Sequence, residues 1–403
     1  MAISSIAGVI HEAPQSIDVC LARKLDEFRS ARSNHLGYPY NLDFAIGVGS
    51  QFGGFLVNNL GDPYAGSHYA TETCDLERDV VAWFMRLWEC EDTERYWGSV
   101  GTSGTEGNIW ALYLAREALP DGILLYSQDA HYSIPKAARI LRMESLCVES
   151  EPCGQLDITA FARAIAVLAG RPVIVALNCG TTVKGAHDNI EAVIDVLAKN
   201  KYDPSRRFVH VDGALNAMVL PFDSTSPRSI KPSFKTEIDS ISASGHKMVG
   251  TPMPCGVLVT LKKHVNRVSS AVSYLRTNDT TLMGSRNGHA VLALWERINR
   301  HGCDGFARDV AACLGRARRL HNTLAAEGVP VLLNPHAITV VFPEPSHVLV
   351  KKYQLACHQR LAHAVVMPNV TDRLIDNFLS DYVRWWRVSE VRPYEDIAGG
   401  VTV

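Results

Sequence analysis

The chemistry available to this chain is concentrated in four short clusters, each of which follows an apolar run or leads into a helical stretch. Ser242-Ala-Ser244-Gly-His246-Lys247 sets a lysine between a histidine and the apolar, Pro/Gly-rich segment Met248–Gly256. Partial desolvation and neighbouring cations lower the pKa of such an amine and make it an imine-forming nucleophile; a structural lysine paired with an acid is the plainer alternative. His210-Val-Asp212-Gly-Ala214 places a carboxylate among small residues at the end of an apolar run, where it suits a cationic nitrogen lying close to the backbone. His210 and Asp212 would share one face of an extended strand. A metal needs three or four protein ligands, and no third stands at a telling spacing, so no metal is expected. His131, in Ser127-Gln-Asp-Ala-His131-Tyr132-Ser133, could lie over an aromatic ring or could be an ordinary surface or capping residue. Gly98-Ser-Val-Gly-Thr-Ser-Gly-Thr-Glu-Gly-Asn108 stands ahead of a helical stretch beginning at Ile109. Free amides and hydroxyls there could hold an anion, because unpaired N–H groups and the helix dipole both favour negative charge. A turn capped by Ser103 or Thr105, with no ligand, is the alternative. No Gly-x-x-x-x-Gly-Lys-Ser/Thr occurs, which removes the nucleotide P-loop.

Each cluster is ambiguous alone, but their order is not. A small-residue anion loop, His131, Asp212, and then Lys247 35 residues after the aspartate form one ordered set. Pyridoxal-5′-phosphate (PLP) requires these parts: a phosphate cradle, a cover for its ring, a partner for its ring nitrogen, and a lysine that holds it as an imine.

The elements that must position these residues follow from hydrophobic patterning. Short apolar runs predict buried strands at Ile123–Tyr126, Leu146–Val148, Val173–Leu177, Phe208–Val211, Ser240–Ala243 and Gly256–Thr260. Helical periodicity separates several of them, at Ile109–Leu119, Ile158–Leu168 and Ile190–Asn200. Strands alternating with helices predict an α/β fold with a mostly parallel sheet covered on both faces, whose ligand lies beyond the carboxyl ends of the strands. After about residue 300 the pattern becomes a long helical stretch (Phe306–Glu327), strands at Val331–Leu333 and Ala337–Phe342, and a helix at Asp372–Trp385, which predicts a small α+β C-terminal domain. The expected organisation is an N-terminal arm (1–65), a large cofactor-binding domain (66–300), the small domain (301–388) and a tail (389–403). The arm holds an amphipathic stretch from Cys20 to Arg32, and its Gly47-Val-Gly49 and Gly53-Gly54 cluster reads as flexible chain.

Composition narrows the class. Of 403 residues, 47% are hydrophobic and 20% charged, which is ordinary for a globular chain. Forty basic against 42 acidic residues give a net charge of −2, which recommends neither nucleic acid nor an anionic membrane as partner. The ten cysteines stand singly without a Cys-x-x-Cys pair, as expected of reduced thiols in a cytoplasmic protein. The apolar start Met1–Ile10 lacks a basic n-region and is interrupted by His11, Glu12 and Pro14, so no signal peptide is expected. No run approaches the ~20 apolar residues that span a bilayer.

The chain resembles the group II PLP-dependent amino acid decarboxylases of the aspartate aminotransferase-like fold (fold type I), and is most similar to the branch of bacterial histidine decarboxylases and plant serine decarboxylases. The similarity runs from Leu36 to Val383. It is carried by Leu36-Gly-Tyr-Pro39, Val57-Asn-Asn-Leu-Gly-Asp-Pro63, Gly104-Thr-Glu-Gly-Asn108, His131-Tyr-Ser133 and Gly180-Thr-Thr-Val-Lys-Gly-Ala186. His210-x-Asp212-x-Ala214, Ser244-Gly-His-Lys-Met248, Pro252-Met-Pro-Cys-Gly256, Gly284-Ser-Arg-Asn-Gly-His289 and Ala362-His-x-x-x-Met-Pro368 carry it further. The resemblance implies that Lys247 binds PLP, His131 stacks on its ring, Asp212 keeps the ring nitrogen protonated and Ala214 packs beneath. It implies a phosphate site of Ser103, Gly104, Thr105, Ser244 and His246, with Thr181 near the cofactor's 3′-oxygen. Ser285 and Arg286 resemble the segment that the family contributes across a dimer interface, so a homodimer or homotetramer with shared sites is expected. Tyr38, Asn58 and Asn59 are expected in the substrate pocket, and Tyr274 or His131 is expected to return the proton to Cα.

The chain departs from its branch at Gly101-Thr102-Ser103, where an asparagine is usual, and also after Tyr69 and over residues 45–55. These departures bear on the substrate more than on the cofactor. The implied activity is decarboxylation of L-histidine to histamine, with L-serine to ethanolamine as the alternative. A decarboxylation-dependent aldehyde synthase, betrayed by ammonia or peroxide, and a non-catalytic relative are further readings.

Overall fold

Residues 14–44, 47–168 and 170–389 are described by a computed structural model. The start of the arm, residues 45 and 46, and the tail from 390 lie outside the described residues. The helices in chain order are α1 (Pro14–Arg32), α2 (Cys74–Leu87), α3 (Gly104–Ala118), α4 (Ser133–Leu141), α5 (Ile158–Val167), α6 (Ile190–Lys199), α7 (Lys262–Val268), α8 (Gly288–Ala326), α9 (His347–Tyr353) and α10 (Asp372–Val388). The first strands are β1 (Asn58–Leu60), β2 (Tyr96–Gly101), β3 (Ile123–Ser127), β4 (Ser145–Val148), β5 (Val173–Asn178), β6 (Arg207–Asp212), β7 (Ser240–Ser244) and β8 (Gly256–Leu261). The later ones are β9 (Ser270–Val272), β10 (Thr277–Asp279), β11 (Ser285–Asn287), β12 (Leu332–Leu333), β13 (Thr339–Pro343), β14 (Ala356–His358) and β15 (Leu361–Val365).

The six apolar runs read from the sequence become six strands of a seven-stranded sheet in the order β2-β8-β7-β6-β5-β3-β4. Pairings from β4 through β3, β5 and β6 to β7 are parallel, whereas β8 runs antiparallel to both β7 and β2. Every residue of β5, β6 and β7 is buried, as two covered faces require, and this is why their sequences read as runs and not as alternations. The edge strand β2 escaped that reading. Its Tyr-Trp-Gly-Ser-Val-Gly sequence is short, half small residues, and pairs only with β8.

Helix α3 begins at Gly104, five residues before the expected start, because Ser103 caps it: the Glu106 amide donates to Ser103 Oγ at 3.3 Å. Two glycines in its first turn hide it from propensity. Leu119, followed by Pro120, ends it. On one face α3 packs Leu112 and Ala115 against Leu124, Ile174 and Phe208. A larger apolar cluster covers the opposite face of the sheet and continues into the C-terminal sheet, from Val80 and Phe84 through Val209 and Ile241 to Phe342 and Tyr382.

That second sheet, β12-β13-β15-β14, is wholly antiparallel. The sequence pattern shows β12 and β13 but not β14 and β15, which form a tight hairpin turned by Gln359 and Arg360 at positive φ. Helix α8 is longer than expected: it starts on an Asn287 cap, and Gly302 (φ 65°) interrupts its regular geometry partway along. The arm is less loose than it reads. Its glycine cluster forms a short 3₁₀ turn, Val48–Gly54, and the Gly49 amide donates to the Glu296 carboxylate. Among the described residues no helix is long and apolar enough to cross a membrane.

Candidate active site

Strands β2, β3, β5, β6 and β7 all end on one edge of the large sheet, and each is followed within a few residues by a side chain singled out above. β2 leads to Ser103, β3 to His131, β5 to Thr181, β6 ends in Asp212, and β7 leads to Lys247. They meet in a cleft of about 340 Å³ that also takes in Gly104, Thr105, Ala214, Ser244, His246 and Tyr38. β15 lends Val365 to the wall. A larger cleft of about 510 Å³ lies at the opposite edge of the sheet. Its charges largely answer one another, Arg207 pairing with Glu237 and Lys235 lying near Glu89 and Glu91, and it offers no comparable nucleophile.

Lys247 sits in the kinked turn Gly245–Val249, directly after β7, where its own backbone (φ −87°, ψ −113°) is non-helical. Among the described residues its ammonium has no hydrogen bond and no ion pair within 4 Å. Burial lowers its pKa and the charge of Asp212 opposes that shift, so a larger share of the amine is neutral and nucleophilic. Asp212 Oδ1 accepts from the Ala214 amide at 3.1 Å, and Oδ2 accepts from Asn108 Nδ2 at 2.7 Å. His131 Nδ1 lies 2.7 Å from Ser133 Oγ. Burial lowers its pKa, Asp212 raises it, and Lys247 and Lys136 lower it further. His246 Nδ1 is 3.0 Å from the Cys255 carbonyl and 3.2 Å from its amide, which fixes the ring at the cleft floor. Thr181 Oγ1 accepts from the Ala186 amide at 3.0 Å and shapes its own loop.

The residues present fit PLP. The first-turn amides of α3 form an anion seat, and the loop comes so close to its neighbours that a Cβ on Gly104 would lie 2.6 Å from Ser244 Oγ and 3.2 Å from Ala214 Cβ. A lysine with lowered pKa and a carboxylate complete the donor set. The departure at Gly101 has a local cause. Glu106 turns its carboxylate back to accept from the Thr102 amide (2.6 Å) and hydroxyl (2.7 Å), and a Cβ on residue 101 would lie 2.8 Å from that carboxylate.

Several expected residues stand elsewhere. The expectation for Asn59 is corrected: it is fully buried, accepts from the Thr73 amide at 2.9 Å and donates to Glu77 at 2.8 Å, so it cannot reach a substrate in the cleft. Asn58, opposite Asn287 in the β1–β11 ladder, donates diagonally through Nδ2 to Ser285 Oγ at 3.2 Å, outside this chain's cleft. Arg286 turns inward and pairs with Glu77, so its guanidinium serves the chain's own interior. Tyr274 is 84% exposed in the turn between β9 and β10, away from the cleft. The His210 ring is buried, with Nδ1 2.9 Å from Ser240 Oγ and Nε2 2.9 Å from Asn108 Oδ1.

Sequence reasoning passed over Tyr40, Asn178 and Asn108. Tyr40 extends a stack with Tyr38, their rings 5.9 Å apart and 7° from parallel. Asn178 ends β5 as Asp212 ends β6, in register beside it; a polar residue closing an apolar run was the available signal. Asn108 closes the Gly104–Asn108 segment, but only the fold places it against Asp212.

Residues 72–343 match the family model described as the pyridoxal-dependent decarboxylase conserved domain. Serine decarboxylase 1 of Oryza sativa subsp. japonica is 44% identical over 365 residues, covering 89% of this chain and 75% of the relative. Histidine decarboxylase of Pseudomonas entomophila (strain L48) is 38% identical over 366 residues, covering 91% and 89%. The solved structure of L-methionine decarboxylase from Streptomyces sp.590 superposes with a TM-score of 0.85 at 27% identity, covering 93% of this chain and 96% of that one.

Proposed function

This chain belongs to the pyridoxal-dependent decarboxylase family and is a PLP-dependent amino acid carboxy-lyase; from that premise we propose that its substrate is L-histidine, released as histamine. The observation that carries the reading is the cleft mouth, where Tyr38 and Tyr40 present two near-parallel rings, each 42% exposed, to any side chain entering. A flat imidazole stacks on such rings with little conformational cost. L-Serine is the second reading, favoured by the 44% identity to a protein named serine decarboxylase.

Bound PLP supplies an electron sink for the pair released when the Cα–carboxylate bond breaks. Lys247 would hold the cofactor covalently through Nζ, and Ser103, Gly104, Thr105, Ser244 and His246 would seat its phosphate. Asp212 would keep a proton on the ring nitrogen, which preserves the sink. Ala214 would leave room beneath the ring, Thr181 would stand near its 3′-oxygen, and His131 would cover the other face. The proton returned to Cα would come from the cleft side through His131, or from Tyr274 of a second copy. A cytoplasmic homodimer or homotetramer belongs to this reading, supported by the uncovered apolar side chains Leu21, Leu25 and Phe28 on α1.

The test is incubation of the purified protein with all twenty amino acids and mass-spectrometric identification of the amines. Histamine as the main product supports the proposal, ethanolamine replaces it with the serine reading, and aldehyde with ammonia or peroxide would make the chain an aldehyde synthase.

A further inference from the structure

In the wall of the cleft, one buried carboxamide touches Asp212 directly and reaches His131 through Ser133. Asn108 is 1% exposed and makes four hydrogen bonds, the full capacity of its amide. Nδ2 lies 2.7 Å from Asp212 Oδ2 and 2.8 Å from Ser133 Oγ, and Oδ1 lies 2.9 Å from His210 Nε2 and 2.7 Å from Ser242 Oγ.

The direction of every proton in this network follows from its members. A carboxylate only accepts, so Nδ2 must face Asp212; a flipped amide would set oxygen against oxygen. Oδ1 then faces His210, whose Nε2 must carry hydrogen. Burial holds His210 neutral at ordinary pH, down to about 4, so its Nδ1 is a lone pair that accepts from Ser240 Oγ at 2.9 Å. At the far end, Ser133 Oγ accepts from Asn108 and turns its own hydrogen to His131 Nδ1. The Ser133 backbone N–H, which cannot reverse, also points at that nitrogen from 3.2 Å. Nδ1 therefore accepts twice, and in the neutral ring the hydrogen is on Nε2, which has no protein partner among the described residues and opens to the cleft.

We propose that Asn108 is a positioning residue that couples the group assigned to the ring nitrogen with the group assigned to the ring face: one carboxamide orients Asp212 and, through Ser133, fixes His131 as the Nε2–H tautomer. His131 then offers the cleft a hydrogen-bond donor at Nε2, suited to a substrate carboxylate, and cannot serve as a base through Nδ1. This rests on the decarboxylase reading for its use, but not for its geometry.

The experiment is long-range ¹H–¹⁵N NMR of full-length protein labelled with ¹⁵N-histidine, with and without added PLP, assigned through His131→Gln. Between pH 7 and 8 the His131 pair should show a protonated Nε2 and an unprotonated Nδ1. A protonated Nδ1, or both nitrogens protonated, overturns the assignment whatever the protein turns over. Asn108→Asp tests the coupling, because it preserves volume and the acceptor that His210 and Ser242 use, but presents an acceptor to Asp212 and Ser133. Its PLP dissociation constant should rise at least tenfold and gain a pH-dependent step that wild type lacks, as the paired carboxylates share a proton. A folded Asn108→Asp protein whose PLP affinity matches wild type at every pH sinks the coupling. A confirmed tautomer in a protein that decarboxylates nothing sinks only the functional reading.

Discussion

At the scale of single residues, Lys247 and Gly104 do different work in the same cleft. Burial lowers the Lys247 amine's pKa, and among the described residues no other lysine lines the cleft. Lys247→Ala should therefore abolish both turnover and the absorbance near ~420 nm expected of a PLP imine; retention of either in the purified variant rejects the assignment. Gly104 acts by having no side chain. Alanine in place of a helical glycine ordinarily gains up to about 1 kcal/mol. Here the added Cβ would meet Ser244 Oγ at 2.6 Å, and overpacking of this kind costs about 1–3 kcal/mol. The clash wins, so Gly104→Ala should weaken PLP binding by on the order of tenfold. Equilibrium dialysis would decide it, and unchanged affinity would show that the loop gives way freely.

At the scale of elements, the pair Glu77–Arg286 ties α2 to the β1–β11 ladder. Glu77 Oε1 also accepts from the Val100 amide at 2.8 Å, and Arg286 donates to the Gly61 carbonyl at 3.1 Å. Glu77 is fully buried and Arg286 nearly so, and removing one partner of such a pair strands the other charge in the interior. Arg286→Met should lower stability by about 3–5 kcal/mol, read by urea unfolding with PLP saturating. If stability held while PLP affinity collapsed, Arg286 would belong to a cofactor site after all. The same elements explain which site residues were legible. Lys247, Asp212 and His131 follow strands that announce themselves as apolar runs, whereas the Ser103–Thr105 loop is legible from its own small residues ahead of a helical stretch. Asn59 stands between short polar segments whose pairing depends on residues more than 200 positions away, and no local pattern carries that information.

At the scale of the whole molecule, the histidines that the fold buries set its acid sensitivity. Burial pushes His187, His210 and His363 down to about 4, and pushes the Asp188 carboxyl up to about 6. An unfolded histidine titrates near ~6.5 and an unfolded aspartate near ~3.9. Between about pH 6 and 4 the unfolded chain thus carries three histidine protons that the folded chain refuses, while the folded chain alone holds the Asp188 proton. The unfolded state binds a net of two more, so these four groups alone make stability fall with acid by up to about 2.7 kcal/mol per pH unit. His35, His131 and His246, also lowered by burial, act in the same direction. Unfolding midpoints should be level from pH 8 to 7 and drop steadily from 6.5 to 4.5; a level profile across the lower interval would mean that these rings are solvated in solution.

The sequence by itself determined the alternation of strands and helices, and with it the edge on which a ligand must lie. Runs of Val, Ile and Leu are recognisable wherever both faces of a strand are covered, and polar residues that close such runs point to the carboxyl edge. The order of the four clusters then named the cofactor. Only the tertiary structure decided which residues actually meet. It moved Asn59 and Arg286 into the interior, left Tyr274 outside this chain's cleft, and set Asn108 between His210 and Asp212. Those outcomes depend on pairings and burial between distant segments, and a carboxamide's orientation is decided by the donors and acceptors that surround it, which no spacing along the chain records.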